Sequence, residues 1–446
     1  MKSLSPAHLE DFFTFLRFAS ISTEPKEKET CRQCAEWLAE RLKRTGLQTE
    51  VCPTAGHPIV LARNQHRPDR KTVMIYGHYD VQPVDPLELW RTPPFEPHLA
   101  NGIVTARGAS DNKGQIFAHI LGVEKALQET GDLPVNLILF IEGEEESGSA
   151  HLGEFLQKNR KSLACDVIVI SDSEMVGPNQ PAFTYGLRGI AAMEVSLTGP
   201  ATDLHSGNFG GAVVNPVTAL ARLVATLHDA SGRVAVEGFY NRVRPMQAWE
   251  RAAWGKLGLD EKHFLKITQA PALGGEEGFT PIERIWARPT AEVNGLWGGY
   301  QGAGTKTVLP KEAHAKLTFR LVPDQQPKEI LNLVETHFRK FYPPAVRLNV
   351  QHGHSGEPYL VDPHTPFGQA AQRALHKAFG VQPALTREGG SIPIVADFKS
   401  ILGVDTLLLG LALTDCAAHA PNETFPLENM EAGVRMNRAL LEELAK

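Results

Sequence analysis

Three short apolar runs constrain the fold of this chain more than any other feature. Residues 73–76, 135–141 and 167–170 are almost continuously hydrophobic, which is typical of strands buried on both faces of a parallel sheet. Helical patterns separate them, most clearly the amphipathic segment 113–130. This alternation predicts an α/β domain in which a mostly parallel, mixed sheet is flanked by helices.

The pattern changes after residue 187. Segments that alternate apolar and polar residues, as half-buried strands do, are then interleaved with helical patterns. The predicted strands are 189–197, 313–321 and 346–351, and the predicted helices between them are 212–227 and 328–341. The order predicts an inserted α+β domain of the ferredoxin-like kind at 188–355, with 1–187 and 356–446 forming the main domain. The Trp- and Gly-rich stretch 233–301 gives no clear assignment.

The composition argues against several classes of protein. The 446 residues carry a net charge of −6 and no Lys/Arg-rich run, so we expect no nucleic-acid partner. The longest apolar stretches, such as 407–413, are far shorter than the roughly 20 residues of a membrane span. The N-terminal segment contains Glu10 and Asp11 and lacks the apolar core of a signal peptide, which predicts a cytoplasmic location.

Histidine and carboxylate residues follow the three predicted buried strands. The segments that carry them read GHYD at 77–80, EGEEESGS at 142–149 and SDSE at 171–174, and a further acidic loop reads GASDNKG at 108–114. The carboxyl ends of parallel strands meet at one edge of a sheet, where open α/β folds place their sites. Crowded carboxylates there are stabilised by a cation. Carboxylates with His and without Cys suit catalytic zinc, manganese or cobalt.

Ten segments in order resemble the two-zinc metallopeptidases that include carnosinase-like dipeptidases, aminoacylase, acetylornithine deacetylase and glutamate carboxypeptidase. The carnosinase-like dipeptidase branch is the most similar. The segments are GHYDVQP, GASDNKG, EGEEESGS, ISDSE, TYGLRG, LHSGNFGG, GTKTVLP, FRLVP, REGGSIP and AHAPNE. They extend over about residues 72–426, so the resemblance covers most of the chain and implies the fold predicted above.

The resemblance implies a set of metal ligands. Asp111 matches the carboxylate that bridges two divalent metal ions, which are zinc in the family, with manganese or cobalt as alternatives. His78 and Asp172 match the remaining ligands of one ion, and Glu146 and His419 match those of the other. The resemblance also implies a cis peptide bond after Asp111.

Two further residues match catalytic positions. Glu145 matches the general base that takes a proton from the metal-bridging water, and Asp80 matches the residue that orients His78. The triple Glu144-Glu145-Glu146 allows a second alignment, in which Glu144 is the base and Glu145 the ligand. The Ser-Gly-Ser that follows directly favours Glu145 as the base.

The substrate side is implied in the same way. Arg320 and Ser391 resemble the residues that hold the terminal carboxylate of a peptide, and Thr307 matches another substrate position. Arg suits a carboxylate because its planar fork can bind both oxygens. His205 resembles a histidine of the inserted lid and dimerisation domain that reaches the active site of the neighbouring subunit, which implies a homodimer.

These residues lead to one preferred function and two alternatives. We expect a dizinc exopeptidase that cleaves dipeptides or short peptides, because Asp at position 172 goes with aminopeptidase and dipeptidase activity in the family. An N-acyl amino-acid amidohydrolase with the same metal chemistry is the enzymatic alternative. A catalytically silent, metal-dependent binding protein is the other, although every matched position carries a competent residue.

Overall fold

The structure is a computed structural model that describes residues 4–390 and 392–446, with Pro393 described by its backbone alone. The predicted substrate residue Ser391 therefore lies outside the described residues. The strands, numbered β1 to β18 in chain order, are Gln48–Cys52, Ile59–Arg63, Thr72–His78, His98–Ala100, Ile103–Thr105, Asn136–Glu142, Val167–Ile170, Ala182–Leu187, Gly189–Thr198, Leu204–His205, Thr290–Gly298, Val308–Leu309, Glu312–Leu321, Arg347–Gly356, Tyr359–Leu360, Ala384–Glu388, Thr406–Leu408 and Thr424–Pro426.

The α-helices, numbered α1 to α13 in the same way, are Pro6–Arg17, Lys28–Lys43, Lys113–Thr130, Leu152–Lys158, Ser206–Phe209, Pro216–Ala225, Ala248–Trp254, Glu261–Thr268, Pro281–Ala287, Pro327–Phe341, Pro366–Phe379, Pro393–Asp397 and Leu427–Leu444. Among the residues that the structure describes, none of these helices combines the length and the apolar character needed to cross a membrane.

The main sheet has the order β1-β2-β6-β3-β7-β17-β8, and β15 and β16 both pair with β8. Its centre is parallel, because β3 pairs in parallel with β6 and β7, and β7 with β17. The outer strands add antiparallel pairs, such as β2 with β6. The predicted mostly parallel, mixed sheet is thereby confirmed. Every residue of β6 and β7 is buried, in agreement with the continuous apolar runs.

Helices pack against this sheet. The helix α3 packs against β3 and against α13, and α2 packs against β1 and β2. The close approach of α3 to α13 requires glycine at position 122, because a Cβ there would lie 2.6 Å from the Cβ of Asn437. The helix ends at Gly131, whose left-handed backbone, with φ at 73°, terminates it in the usual way.

The chain divides into two compact units. The first consists of the described residues up to Tyr185 together with Val361–Thr386 and Asp397–Lys446, and the second consists of Gly186–Leu360 and Arg387–Ala396. Our predicted limits placed 387–396 with the main domain. Within the second unit this segment is held by the hydrogen bond from Arg188 Nε to the Gly389 backbone oxygen, at 3.1 Å.

The second unit contains a four-stranded antiparallel sheet of order β11-β13-β9-β14. With α6 after β9 and α10 after β13, the connectivity is β-α-β-β-α-β, which is the ferredoxin-like arrangement. Alternate residues of β9 and β13 are buried, and their apolar side chains form a core with α6 and α10. The strand β11 lies in the stretch that gave no assignment. Most of its residues are exposed and its register shifts between Val293 and Gly295, which removes the apolar alternation.

Candidate metal centre

The predicted metal ligands come from loops at one edge of the main sheet. His78 is the last residue of β3, Asp172 follows β7 by two residues, and Glu146 lies in a 3₁₀ turn, Glu145–Ser147, shortly after β6. Asp111 precedes α3, and the peptide bond between Asp111 and Asn112 is cis. Because β3, β6 and β7 run parallel, their carboxyl ends bring these side chains together.

The carboxylate of Asp111 lies between two groups of side chains. Its Oδ1 is 3.2 Å from Nε2 of His78, and that same nitrogen is 3.7 Å from Oδ2 of Asp172. Its Oδ2 is 2.8 Å from Nε2 of His419, which is 3.3 Å from Oε2 of Glu146. One oxygen thus faces His78 and Asp172, and the other faces His419 and Glu146, which is the arrangement that a carboxylate bridging two cations requires.

Two buried atoms in this cluster fit a metal ion. Nε2 of His78 and Oε1 of Glu146 are inaccessible to solvent and have no hydrogen-bond partner among the described residues. Ligand atoms of His78, Asp111 and Glu146 all lie within 4.8 Å of one another. Burying an unsatisfied nitrogen and a carboxylate oxygen is unfavourable unless they meet a partner. Imidazole and carboxylate donors suit divalent zinc, manganese or cobalt.

The electrostatics of the cluster also favour a cation. Burial raises the pKa of Asp172 and of Glu146, and the neighbouring Asp111 carboxylate raises both further. Hydrogen bonds to Asp111 and Glu146 raise the pKa of His419 to about 10. Burial raises the pKa of Asp111, but the neighbouring imidazoles of His419 and His78 outweigh it and leave that pKa below its usual value. The site therefore holds more negative charge than its histidines neutralise.

Asp80 positions both a ligand and the turn that follows β6. Nδ1 of His78 lies 3.0 Å from the backbone oxygen of Asp80 and 3.3 Å from its Oδ1. Since those oxygens accept, the proton of His78 is on Nδ1 and Nε2 is directed at Asp111. The Asp80 carboxylate also accepts the backbone N–H groups of Glu145, at 3.2 Å, and Glu146, at 3.0 Å. The second role was not apparent from the sequence.

The three consecutive glutamates point to different surroundings. The carboxylate of Glu144 pairs with Nδ1 of His151 at 2.9 Å. It also lies directly against Gly56, where it fills the space that a Cβ would occupy. Glu145 is instead surrounded by the ligands. Burial raises its pKa well above the usual value, and the charges of Asp172 and Glu146 raise it further. A carboxylate of raised pKa beside the ligands has the character of a general base.

Asn112 and Gln82 hold two of the predicted ligands, and neither was identified from the sequence. Nδ2 of Asn112 donates to Oδ1 of Asp172 at 2.8 Å and to the backbone oxygen of Ser171 at 2.6 Å. Nε2 of Gln82 donates to Oε2 of Glu146 at 2.8 Å. Both lie inside segments that had been matched as motifs, but the resemblance gave a role only to their neighbours.

Glu423 is the other positioning residue that sequence reasoning missed. Its carboxylate is fully buried and accepts four N–H donors from the loop that precedes α3. Oε2 accepts from Nη1 of Arg107 and from Gly108 N, each at 2.8 Å. Oε1 accepts from Ser110 N at 2.8 Å and from Asp111 N at 2.9 Å. Glu423 thus ties the segment of His419 to the loop of Asp111.

Three predicted substrate-side residues lie in the second unit. His205 ends β10 and is exposed, and its Nε2 lies 3.5 Å from Oγ1 of Thr307. The N–H of Gly207 donates to Nδ1 of His205 at 3.0 Å, so the neutral ring carries its proton on Nε2. Arg320 is the penultimate residue of β13 and half-buried.

A mostly parallel sheet with imidazole and carboxylate groups gathered at its carboxyl edge is typical of metal-dependent hydrolases. Comparison with known proteins gives the family. The profile of peptidase family M20/M25/M40 matches residues 74–443, and the chain belongs to this family.

Individual relatives agree over nearly the whole chain. A Cys-Gly metallodipeptidase of Candida albicans is 33% identical, with 98% of this chain and 94% of the relative aligned. The solved structure of human carnosine dipeptidase 1 has a TM-score of 0.79 and 29% identity, with 98% and 96% of the two chains covered. An M20 family metallo-carboxypeptidase from Sulfolobus solfataricus has a TM-score of 0.84 and 31% identity, with 99% and 100% covered. The predicted resemblance to carnosinase-like dipeptidases is confirmed.

Proposed function

We propose that this protein is a metal-dependent dipeptidase. The observation that carries the proposal is the position of the Asp111 carboxylate between His78 and Asp172 on one side and His419 and Glu146 on the other. Family membership and relatives named as dipeptidases support hydrolysis of small peptides. The two divalent ions are zinc, with manganese or cobalt as alternatives, and the enzyme acts in the cytoplasm.

The residues of the chain divide the work. Asp111 would hold both ions, and His78, Asp172, Glu146 and His419 would complete the two ligand sets. When bound, the ions supply Lewis-acid polarisation of the substrate carbonyl and lower the pKa of an attacking water. Glu145 accepts the proton of that water at its carboxylate and donates it to the leaving amine. Asp80 holds Nδ1 of His78, so that Nε2 would be free to bind an ion.

The second unit supplies the groups that bind the substrate. Arg320 receives the terminal carboxylate, and its guanidinium has no hydrogen bond or ion pair with any described residue, which leaves it available. Ser391 and Thr307 assist. His205 acts in the active site of the partner in a homodimer, where its Nε2–H donates to the oxyanion.

Paired variants at the two adjacent glutamates test the assignment of the base. Glu145→Gln should retain both metals and lose about 10²–10⁴-fold in kcat, because Gln cannot accept a proton. Glu144→Gln is the matched control, since Glu144 pairs with His151 instead. Metal analysis and kinetics are measured for both. Near-normal turnover of Glu145→Gln with loss in Glu144→Gln would assign the base to Glu144.

A substrate panel separates the dipeptidase from the deacylase. Dipeptides with a free amine and N-acetyl amino acids are assayed with zinc, manganese and cobalt. The proposal expects turnover of the dipeptides. Turnover of the N-acetyl compounds alone identifies an amidohydrolase, and no turnover by a fully metallated protein leaves a binding protein.

Mixed dimers test the role of His205. His205→Ala is mixed with Glu145→Gln under conditions that exchange subunits. If His205 acts in the partner's site, each mixed dimer has one intact site, so roughly a quarter of wild-type activity returns when half the dimers are mixed. If mixed dimers form and activity stays at the parental level, His205 does not act across the dimer.

A further inference from the structure

The second unit contains a cavity of about 710 Å³ that is rich in arginine. Its charged lining comprises four arginines and two glutamates: Arg188, Arg284, Arg288, Arg320, Glu276 and Glu292. Four arginines against two glutamates leave two positive charges. A cavity with this surplus is suited to an anion.

Two of the four arginines are held by the segment around Glu276. Arg288 forms a two-fold ion pair with Glu276, at 2.6 and 2.7 Å. Arg284 donates to the backbone oxygens of Glu276, at 2.8 Å, and Gly274, at 2.6 Å. These contacts hold the wall of the cavity together.

The other two guanidiniums, those of Arg188 and Arg320, have N–H groups without an acceptor among the described residues. Arg188 donates from Nε to the Gly389 backbone oxygen, and its Nη atoms make no hydrogen bond or ion pair with any residue in the described part of the chain. Arg320 makes none at all with those residues. Partly buried guanidiniums are costly to leave without a counter-charge. Glu292 lies at the exposed rim and forms no ion pair with either of them among the described residues.

Arg188 and Arg320 lie close to the same end of the four-stranded sheet. Ile190 is the direct partner of Arg320, and Arg188 directly precedes β9, two residues before Ile190. Both arginines line the cavity. Burial and the charge of Arg320 lower the pKa of Arg188 to about 10, although the charge of Glu292 acts in the opposite direction, so Arg188 stays charged at neutral pH.

We propose that Arg188 is a specificity-determining residue that, with Arg320, binds a ligand carrying two carboxylates. The proposal rests on the proposed dipeptidase function. The ligand is then a dipeptide whose C-terminal residue is Asp or Glu, with its α-carboxylate at Arg320 and its side-chain carboxylate at Arg188. Two charge-assisted forks recognise two carboxylates and disfavour the neutral amide analogue.

The test compares kcat/KM for Ala-Glu and Ala-Gln. We expect the wild type to prefer Ala-Glu by about 10–100-fold, the value of one charge-assisted contact. Arg188→Gln should bring the ratio close to one, because it lowers kcat/KM for Ala-Glu more than kcat/KM for Ala-Gln. Arg347→Gln is the matched control, because the exposed Arg347 also donates to one backbone oxygen, that of Gly199, and does not line the cavity. No preference in the wild type, or the same preference in Arg188→Gln, overturns the proposal.

A second variant and a binding measurement test the role of Arg188 separately from dipeptide hydrolysis. Arg188→Lys retains the charge without the fork, so its preference should lie between those of wild type and Arg188→Gln. If no dipeptide is hydrolysed, the proposed function fails. Calorimetric titration with glutarate then decides the site alone: wild-type binding that Arg188→Gln weakens at least tenfold and Arg347→Gln leaves unchanged supports it. No glutarate binding, or equally tight binding of inorganic phosphate, overturns it.

Discussion

Replacing Glu423 by glutamine should loosen the loop that carries Asp111. Glutamine keeps one acceptor oxygen, but its amide group must face two of the four N–H donors that the carboxylate now accepts. Two hydrogen bonds to a charged acceptor are worth about 1.5–3 kcal/mol each. Arg107, which is also buried, loses its counter-charge, and breaking a buried pair on one side costs about 3–5 kcal/mol. Because these terms overlap, we expect the free energy of unfolding to fall by about 3–5 kcal/mol.

Two measurements separate a local effect on the metal site from general destabilisation. Urea unfolding gives the stability, and elemental analysis after dialysis against a weak chelator gives the metal content. Glu443→Gln is the comparison variant, because Glu443 is buried and pairs with Arg373, Lys377 and Lys446. The side chains of those three partners are about half-exposed to solvent. Ion pairs to exposed side chains contribute about 0–1 kcal/mol each.

The expected result is a large loss of stability and of metal in Glu423→Gln, with metal content unchanged in Glu443→Gln. If Glu423→Gln loses less than about 1 kcal/mol and keeps its metal, the four hydrogen bonds do not hold the loop. Equal loss of metal in the two variants would also refute the reasoning.

Three further outcomes follow from the structure. Burial lowers the pKa of His119 to about 4, whereas the same side chain in the unfolded protein binds a proton below about pH 6.5. The free energy of unfolding should therefore fall between pH 6.5 and pH 4, by up to about 3 kcal/mol. Urea unfolding of His119→Gln should not show this decrease. Gly56→Ala places a Cβ 1.8 Å from Oε1 of Glu144 and should cost about 1–3 kcal/mol; thermal unfolding of the double variant with Glu144→Ala should recover most of the loss, and additive losses would contradict the clash. Asp111→Ala should lose both metals but His419→Ala only one, as elemental analysis would show; equal losses would contradict the bridge.

The sequence predicts the central strands and their helix because their patterns are local. The buried runs of β6 and β7 and the helix α3 differ from their predicted limits by at most one residue. The strand β11 was not predicted, because its exposed residues and shifted register leave no alternation of apolar and polar residues. Patterns of this kind report burial, so a strand without a buried stripe cannot be found from them.

Residues that support the metal site were harder to predict than the ligands. Glu423 reads as one more polar residue after His419, and its donors lie more than 300 positions earlier in the chain. Nothing in the local pattern around Glu423 indicates those partners, because only the folded sheet brings the two segments together. The same is true of Asn112, whose amide donates to Asp172 from a loop much earlier in the chain.

The parallel pairing of β17 with β7 has a consequence for synthesis of the protein. The ligands His78 and His419 are separated by 419 − 78 = 341 residues. A ribosome that adds about 5–20 residues per second needs roughly 20–70 s to make that stretch. Within this interval, from the end of β7 to the start of β17, 406 − 170 = 236 positions separate the two strands. During that time the edge of β7 lacks its neighbour β17, and an unpaired strand edge is a template for aggregation. The nascent chain therefore presents an open sheet edge until β17 emerges, and an incomplete ligand set until His419 emerges.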